Sequence, residues 1–301
     1  MRYQGEILDD DYQGQGIEYD DKGNKVYEGE YDNGNYHGFG ISYGPKGSIQ
    51  FEGQWENGYY KHGTTYDDKA HKMYTGEWMK YEYHGKGTSY YDNGQKEYEG
   101  EWKNLKKHGY GISYQESGLK DYEGDWVDGV PNGKGIRYNE KGEKEYEGDF
   151  KDYRYHGKGT SYYENGKMEY SGDWKEFRQH GRGTIFYENG NKEYEGQWKN
   201  GLANGRGVRY DEKGVKEYEG DWKDFRYHGQ GMSYHEDGSI EYEGGWVDCK
   251  YHGKGIKYDS NGNKSYLGEW SGGMRHGKGQ DFDEKGNVVY EGKWMNDKRL
   301  K

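Results

Sequence analysis

At 301 residues the chain has length enough for a thick core, yet Leu, Ile, Val and Phe together form only about a tenth of it, and 37 Tyr and 10 Trp carry the apolar surface. With a net charge of −12, that is the composition of a disordered chain. It has no apolar run of membrane-spanning length and no basic footprint for nucleic acid, and its single cysteine excludes an internal disulfide.

Periodicity overrules the disorder reading. Tyr-x-Gly begins at Tyr3, Tyr27, Tyr74, Tyr98, Tyr122, Tyr146, Tyr170, Tyr194, Tyr218, Tyr242, Tyr266 and Tyr290, and Phe51 fills the one gap. The step is 24 residues, except for 23 between Phe51 and Tyr74. The unit is Y-x-G-x-W-x5-H-G-x-G-x-x-Y-x3-G-x3, so residues 1–301 form a single array of about 12.5 repeats. All ten tryptophans take its fifth position, among them Trp102, Trp126, Trp174, Trp198, Trp222, Trp246 and Trp270. Eight of the eleven histidines take the eleventh.

In chain order, the first repeat is atypical: Ile7 stands for Trp, Gln13 for His, and Asp9, Asp10 and Asp11 follow the first strand. The third, 51–73, is irregular, because His62-Gly63 runs into Thr64-Thr65 and the second glycine is lost; a kink or bulge is expected there. A regular repeat is seen in KEYEGDW (216–222), where alternation puts Tyr218, Gly220 and Trp222 on one face and Glu217, Glu219 and Asp221 on the other, the pattern of a half-buried strand. A short turn follows, KNG or KDF, and then HGxGxxY forms the return strand. A second turn closes the repeat, as in DNG (92–94) and ENG (164–166), dipeptides that tolerate positive φ. The last half repeat, 290–301, ends with Lys298, Arg299 and Lys301. The acidic start and basic end protect open sheet edges or dock head to tail in a homo-oligomer. The expected fold is all-β: an elongated, twisted, single-layer antiparallel meander of stacked hairpins, with strands about 4.8 Å apart and a length on the order of 120 Å.

The eighth position, in the middle of the first turn, reads Gly58, Tyr81, Leu105, Gly129, Tyr153, Phe177, Gly201, Phe225, Cys249, Gly273, with Gly at every third repeat. Recent duplication of a three-repeat block, or a set turn of the ribbon every three repeats, accounts for this. The bulky-plus-Arg pairs Tyr153-Arg154, Phe177-Arg178 and Phe225-Arg226 are the candidate partner-binding tips, because aromatics and Arg are enriched at binding hot spots. The alternative is that each tip folds back and extends the aromatic face.

Catalytic, metal and cofactor sites are not expected. Equivalent histidines lie one repeat apart, roughly 10 Å, whereas zinc ligands converge within about 2 Å of the ion. The acids flanking each Gly, such as Glu219 and Asp221, recur too regularly for a catalytic pair and form a solvated face. GxG is not followed by the helix that a phosphate cradle needs.

YEGQWKNGLANGRG (194–207) and YLGEWSGGMRHGKG (266–279) resemble the MORN repeat, the membrane occupation and recognition nexus. The chain departs from that pattern in its 24-residue period and in its bulky mid-turn residues. The resemblance implies a non-enzymatic structural scaffold binding other proteins of a large assembly, similar to radial-spoke-head and protist cytoskeletal MORN proteins. A cytoplasmic, cytoskeletal location, in a cilium or axoneme, is expected. It also implies a second class, a peripheral phospholipid tether, which the dispersed lysines of an acidic chain disfavour.

Overall fold

The computed structural model describes residues 2–301. The chain divides into two compact units, Met1–Tyr153 and Arg154–Lys301. The first runs from β1 (Arg2–Leu8) to β13 (Lys144–Lys151), the second from β14 (Arg154–Tyr162) to β26 (Lys298–Arg299). No helix occurs among the described residues. Each repeat supplies two strands, and within each unit every strand pairs antiparallel with its neighbours in sequence. Both units are therefore open β-meanders, as the alternation predicts.

The repeat at Tyr218 shows how the sequence builds a hairpin. In β19 (Lys216–Lys223) and β20 (Arg226–Tyr234), Gly220 faces Gly231, Asp221 faces His228, and Trp222 faces Tyr227. The register shift leaves Gly229 and Gln230 unpaired, a bulge that turns the strand. Gly229 sits there at φ 59, which is why that position of HGxG is glycine. The Gln230 amide bulges outward and donates to Asp221 Oδ2 at 3.0 Å. Lys134 to Asp125 (2.8 Å), Arg182 to Asp173 (2.8 Å) and Arg206 to Gln197 (3.0 Å) repeat the contact. Since neutral Gln197 serves as well, the position requires an acceptor rather than a charge. Half of what reads as a solvated acidic face thus caps backbone.

The irregular third repeat departs from expectation in an instructive way. In β5 (Ile49–Glu56) and β6 (Tyr59–Tyr66), Gly53 faces Gly63, Gln54 faces His62, and Trp55 faces Tyr60. Regular repeats such as those at Tyr27, Tyr74, Tyr98, Tyr170, Tyr218 and Tyr266 have a two-residue bulge; this one has a one-residue bulge at Lys61. The deletion falls in the bulge, so the glycine lost is the first, positive-φ one. Gly63 keeps the role of the second: a Cβ there would lie 2.5 Å from Phe51 Cζ, as one on Gly231 would lie 2.5 Å from Tyr218 Cζ.

These paired glycines exist to seat the aromatic core. Tyr218 is fully buried; its ring stacks on Tyr227 at 3.8 Å and meets Trp222 and Trp246 edge-on, each at 5.3 Å. Its hydroxyl donates to the carbonyls of Asp221 (2.9 Å) and His228 (3.3 Å). Trp222 Nε1 donates back to the Gly207 carbonyl of the preceding repeat at 3.1 Å. Each of these rings therefore buries a large area while its polar handle stays satisfied, and every Trp but Trp294 ties its repeat to the one before in this way. The tenth position, which sequence periodicity did not single out, supplies the stacking partner: Tyr36 on Tyr27, Tyr83 on Tyr74, Tyr251 on Tyr242. Where it is basic, a cation takes the place of the ring, with Lys107 Nζ 5.2 Å from the Tyr98 centroid and Arg275 4.2 Å from that of Trp294.

Trp222→Ala is expected to cost about 3–5 kcal/mol and to loosen both adjacent repeats, because stability in such arrays comes from neighbour interfaces. Denaturant titration measures this, and a loss under about 1 kcal/mol would refute a stacked core as the main stabilising feature.

Candidate interaction edge

The first turn of each repeat is a two-residue hairpin loop with both central residues at positive φ, the geometry whose twist matches the flanking strands. Asp152 and Tyr153 have φ of 49 and 66, Glu176 and Phe177 of 50 and 65, Asp224 and Phe225 of 50 and 64. Asn200-Gly201 meets the same requirement with glycine, at 53 and 85. A bulky side chain in this left-handed region costs roughly 1–2 kcal/mol, so these three aromatic tips, like Tyr81 at φ 67, are held in strain that glycine would relieve.

Backbone locks each tip to the preceding hairpin. The amides of Tyr153, Phe177 and Phe225 donate to the carbonyls of Pro131 (2.9 Å), Tyr155 (3.1 Å) and Ala203 (3.1 Å). These acceptors are tenth-position residues, and the tip ring lies over the same place. Phe177 packs edge-on against Tyr155 at 5.0 Å. Phe225, above the small Ala203, reaches Trp198 at 5.5 Å and Tyr194 at 6.5 Å. Tyr153 lies under the Arg137 guanidinium at 4.8 Å, and burial pushes its phenol above the ordinary value. Folding back is nevertheless incomplete: Phe177 keeps 44% and Phe225 39% of its surface exposed.

The adjacent arginines point to solvent. Arg154 approaches Glu176 at 3.9 Å and Arg226 approaches Asp248 at 3.6 Å, while Arg178 is exposed. Tyr153 closes the first unit, and the other five candidate residues belong to the second. The core tryptophans are a separate class. Trp102, Trp126, Trp174, Trp198, Trp222, Trp246 and Trp270 are all buried and present no binding surface of their own.

Among the described residues no cluster of His, Cys, Asp and Glu is arranged to hold a metal ion. Cys249 sits exposed at a tip with φ 62 and accepts the Tyr227 amide at 3.4 Å. No helix among the described residues is long and apolar enough to cross a membrane.

Comparison with known families decides what these hairpins are. The MORN repeat matches residues 3–25, 27–49, 98–120, 122–144, 146–168, 194–216, 218–240, 242–264, 266–280 and 290–299, and the MORN repeat variant matches 83–104 and 179–200. The chain belongs to the MORN-repeat family. MORN arrays serve as protein- or membrane-binding scaffolds, and the family is generally non-enzymatic. No curated protein matches this MORN chain. Among solved structures, "Crystal Structure of TcdB2-TccC3-TEV" aligns at 8% identity and a TM-score of 0.17, covering 95% of this chain and 16% of its own; so low a score bears on neither fold nor function.

Proposed function

We propose that this MORN array is a non-enzymatic scaffold that binds other proteins through its hairpin tips within a cytoskeletal assembly, in the cytoplasm and in particular a cilium or axoneme. One observation carries the protein-binding part: Phe177 and Phe225 are kept strained and about two-fifths exposed, and Tyr153 strained and half-buried, at tips where the same fold elsewhere uses glycine. Strain that persists where a simpler residue fits is a mark of function. The cytoskeletal placement rests on similarity of the repeat array to radial-spoke-head and protist cytoskeletal MORN proteins.

The experiment replaces Tyr153, Phe177 and Phe225 together by Gly. Relief of the left-handed strain offsets lost ring packing, so the melting temperature is expected to stay close to that of the wild type. The variant is expected to lose the proteins that co-purify with the tagged wild-type chain from its native cells. An unfolded variant, or one that retains every partner, would make the tips structural only. Axonemal proteins absent from the wild-type eluate would remove the ciliary placement. Tight flotation of the chain with phosphatidylserine vesicles at physiological salt would favour the lipid tether instead.

A further inference from the structure

The lysines that look dispersed along the sequence are gathered by the fold. Lys175, Lys199 and Lys223 end successive outgoing strands of the second unit, and Arg178, Arg226 and Lys250 begin return strands beside them. All six are exposed. The tips between them carry only three carboxylates, and each is already engaged: Glu176 with Arg154 at 3.9 Å, Asp224 with the Asn204 amide at 3.1 Å, Asp248 with Arg226 at 3.6 Å. On a chain of net charge −12, this edge has a local excess of positive charge.

Two tips carry a second cost. Lys175 lies directly across the hairpin from Arg178, and Lys223 directly across from Arg226. Like charges facing across a strand pair destabilise the hairpin, and these are the same tips whose Phe177 and Phe225 sit in left-handed strain. The intervening tip has neither cost: it pairs Lys199 with Leu202 around Gly201. Repulsion and strain thus coincide at alternate tips: strand alternation sets the two cations on the face opposite Trp174 and Trp222, while the exposed ring folds back toward the aromatic face.

The geometry points to a docking edge for an acidic protein segment that straddles the turns, with carboxylates bridging the Lys175–Arg178 and Lys223–Arg226 pairs on one side and apolar side chains reaching Phe177 and Phe225 on the other. This inference rests on the tip-binding reading and adds the chemistry of the partner. The two basic tips are two repeats apart, four strands or about 19 Å. An extended segment of about six residues spans that distance, as does a helix of about thirteen. A protein segment fits better than a bilayer, because an anionic lipid surface attracts a continuous basic cluster. Here the edge is one turn wide, and tip carboxylates interrupt its cations.

The test measures fluorescence anisotropy of labelled poly-L-glutamate against the full chain over a salt series, together with melting curves. The double variant Lys175→Glu/Lys223→Glu is compared with Lys213→Glu/Lys285→Glu, which makes the same change of net charge on exposed loops of the opposite edge. The tip variant is expected to bind at least about tenfold more weakly and to melt higher, because the facing like charges are gone. The loop variant is expected to bind as the wild type does. Equal weakening by both variants, or unchanged binding by the tip variant, overturns the proposal. So does wild-type flotation with phosphatidylserine vesicles without binding of the polymer, which would assign the edge to a membrane. If the wild type does not bind the polymer while the glycine-tip variant still loses its native partners, the acidic chemistry fails and the tip reading stands. Native partners retained by that variant sink both.

Discussion

Gly231→Ala should unfold the repeat around Tyr218, with a loss of about 3 kcal/mol or more. The methyl group would lie 2.5 Å from Tyr218 Cζ and closer still to the hydroxyl. The ring cannot yield, being held by the stack on Tyr227 and the edges of Trp222 and Trp246. Moving it also strips the Asp221 and His228 carbonyls of their donor. Gly231 is not at positive φ, so the effect is steric and not a matter of backbone preference. Gly214 provides the contrast: it has φ 89, and a methyl group there would meet nothing within 4 Å, so Gly214→Ala should cost only the left-handed penalty of about 1 kcal/mol. Adding Tyr218→Phe should not rescue Gly231→Ala, since Phe51 crowds Gly63 at 2.5 Å without any hydroxyl. Urea titration followed by Trp fluorescence checks all three, and Gly231→Ala proving milder than Gly214→Ala would contradict the packing account.

The second large effect is alkaline unfolding. Burial pushes the phenols of Tyr74, Tyr98, Tyr122, Tyr170, Tyr194, Tyr218 and Tyr242 well above their ordinary value, and those of Tyr227 and Tyr266 up to about 12. A folded-state value raised above the unfolded value of 10.0 means that the stabilisation is complete below pH 10 and is lost as pH rises toward the folded value. Each such phenol contributes on the order of 1.4 kcal/mol per pH unit in that window. Tyr218, Tyr227 and Tyr242 lie in two adjacent repeats, so their ionisation acts against the same cooperative block. The expected result is an early, non-cooperative phenolate signal from exposed tyrosines near pH 10. A sharp second rise between pH 10 and 12 should then coincide with loss of the β-sheet circular dichroism. Smooth titration of all tyrosines with the sheet signal intact at pH 12 would show that the rings are not buried together.

The sequence was informative wherever the cause of structure lies within a few neighbouring residues. Alternation in KEYEGDW and turn residues at fixed offsets depend on side-chain direction and φ alone, so strands, turns and the aromatic face were legible in the sequence alone. The glycines of HGxG were legible as strand elements but not in their separate roles. One is a bulge residue at positive φ, and the other is a bare seat for a Tyr ring. That distinction depends on the cross-strand register of Asp221 with His228 and of Gly220 with Gly231. For the same reason the sequence alone assigned the missing glycine of 51–73 to the wrong place, and Asp221 to solvent rather than to a bulge amide.

What the chain by itself determined, then, is the repeat, its two strands and two turns, and the Tyr and Trp rows that bury the core, because these follow from local geometry repeated every 24 residues. Only the tertiary structure decided which residue stacks on each Tyr, where the tip rings lie, and that lysines spaced 24 residues apart form one basic edge. Those outcomes depend on strands meeting side by side. A separation of 24 residues in sequence becomes two strand spacings, about 10 Å, only after the hairpins have stacked.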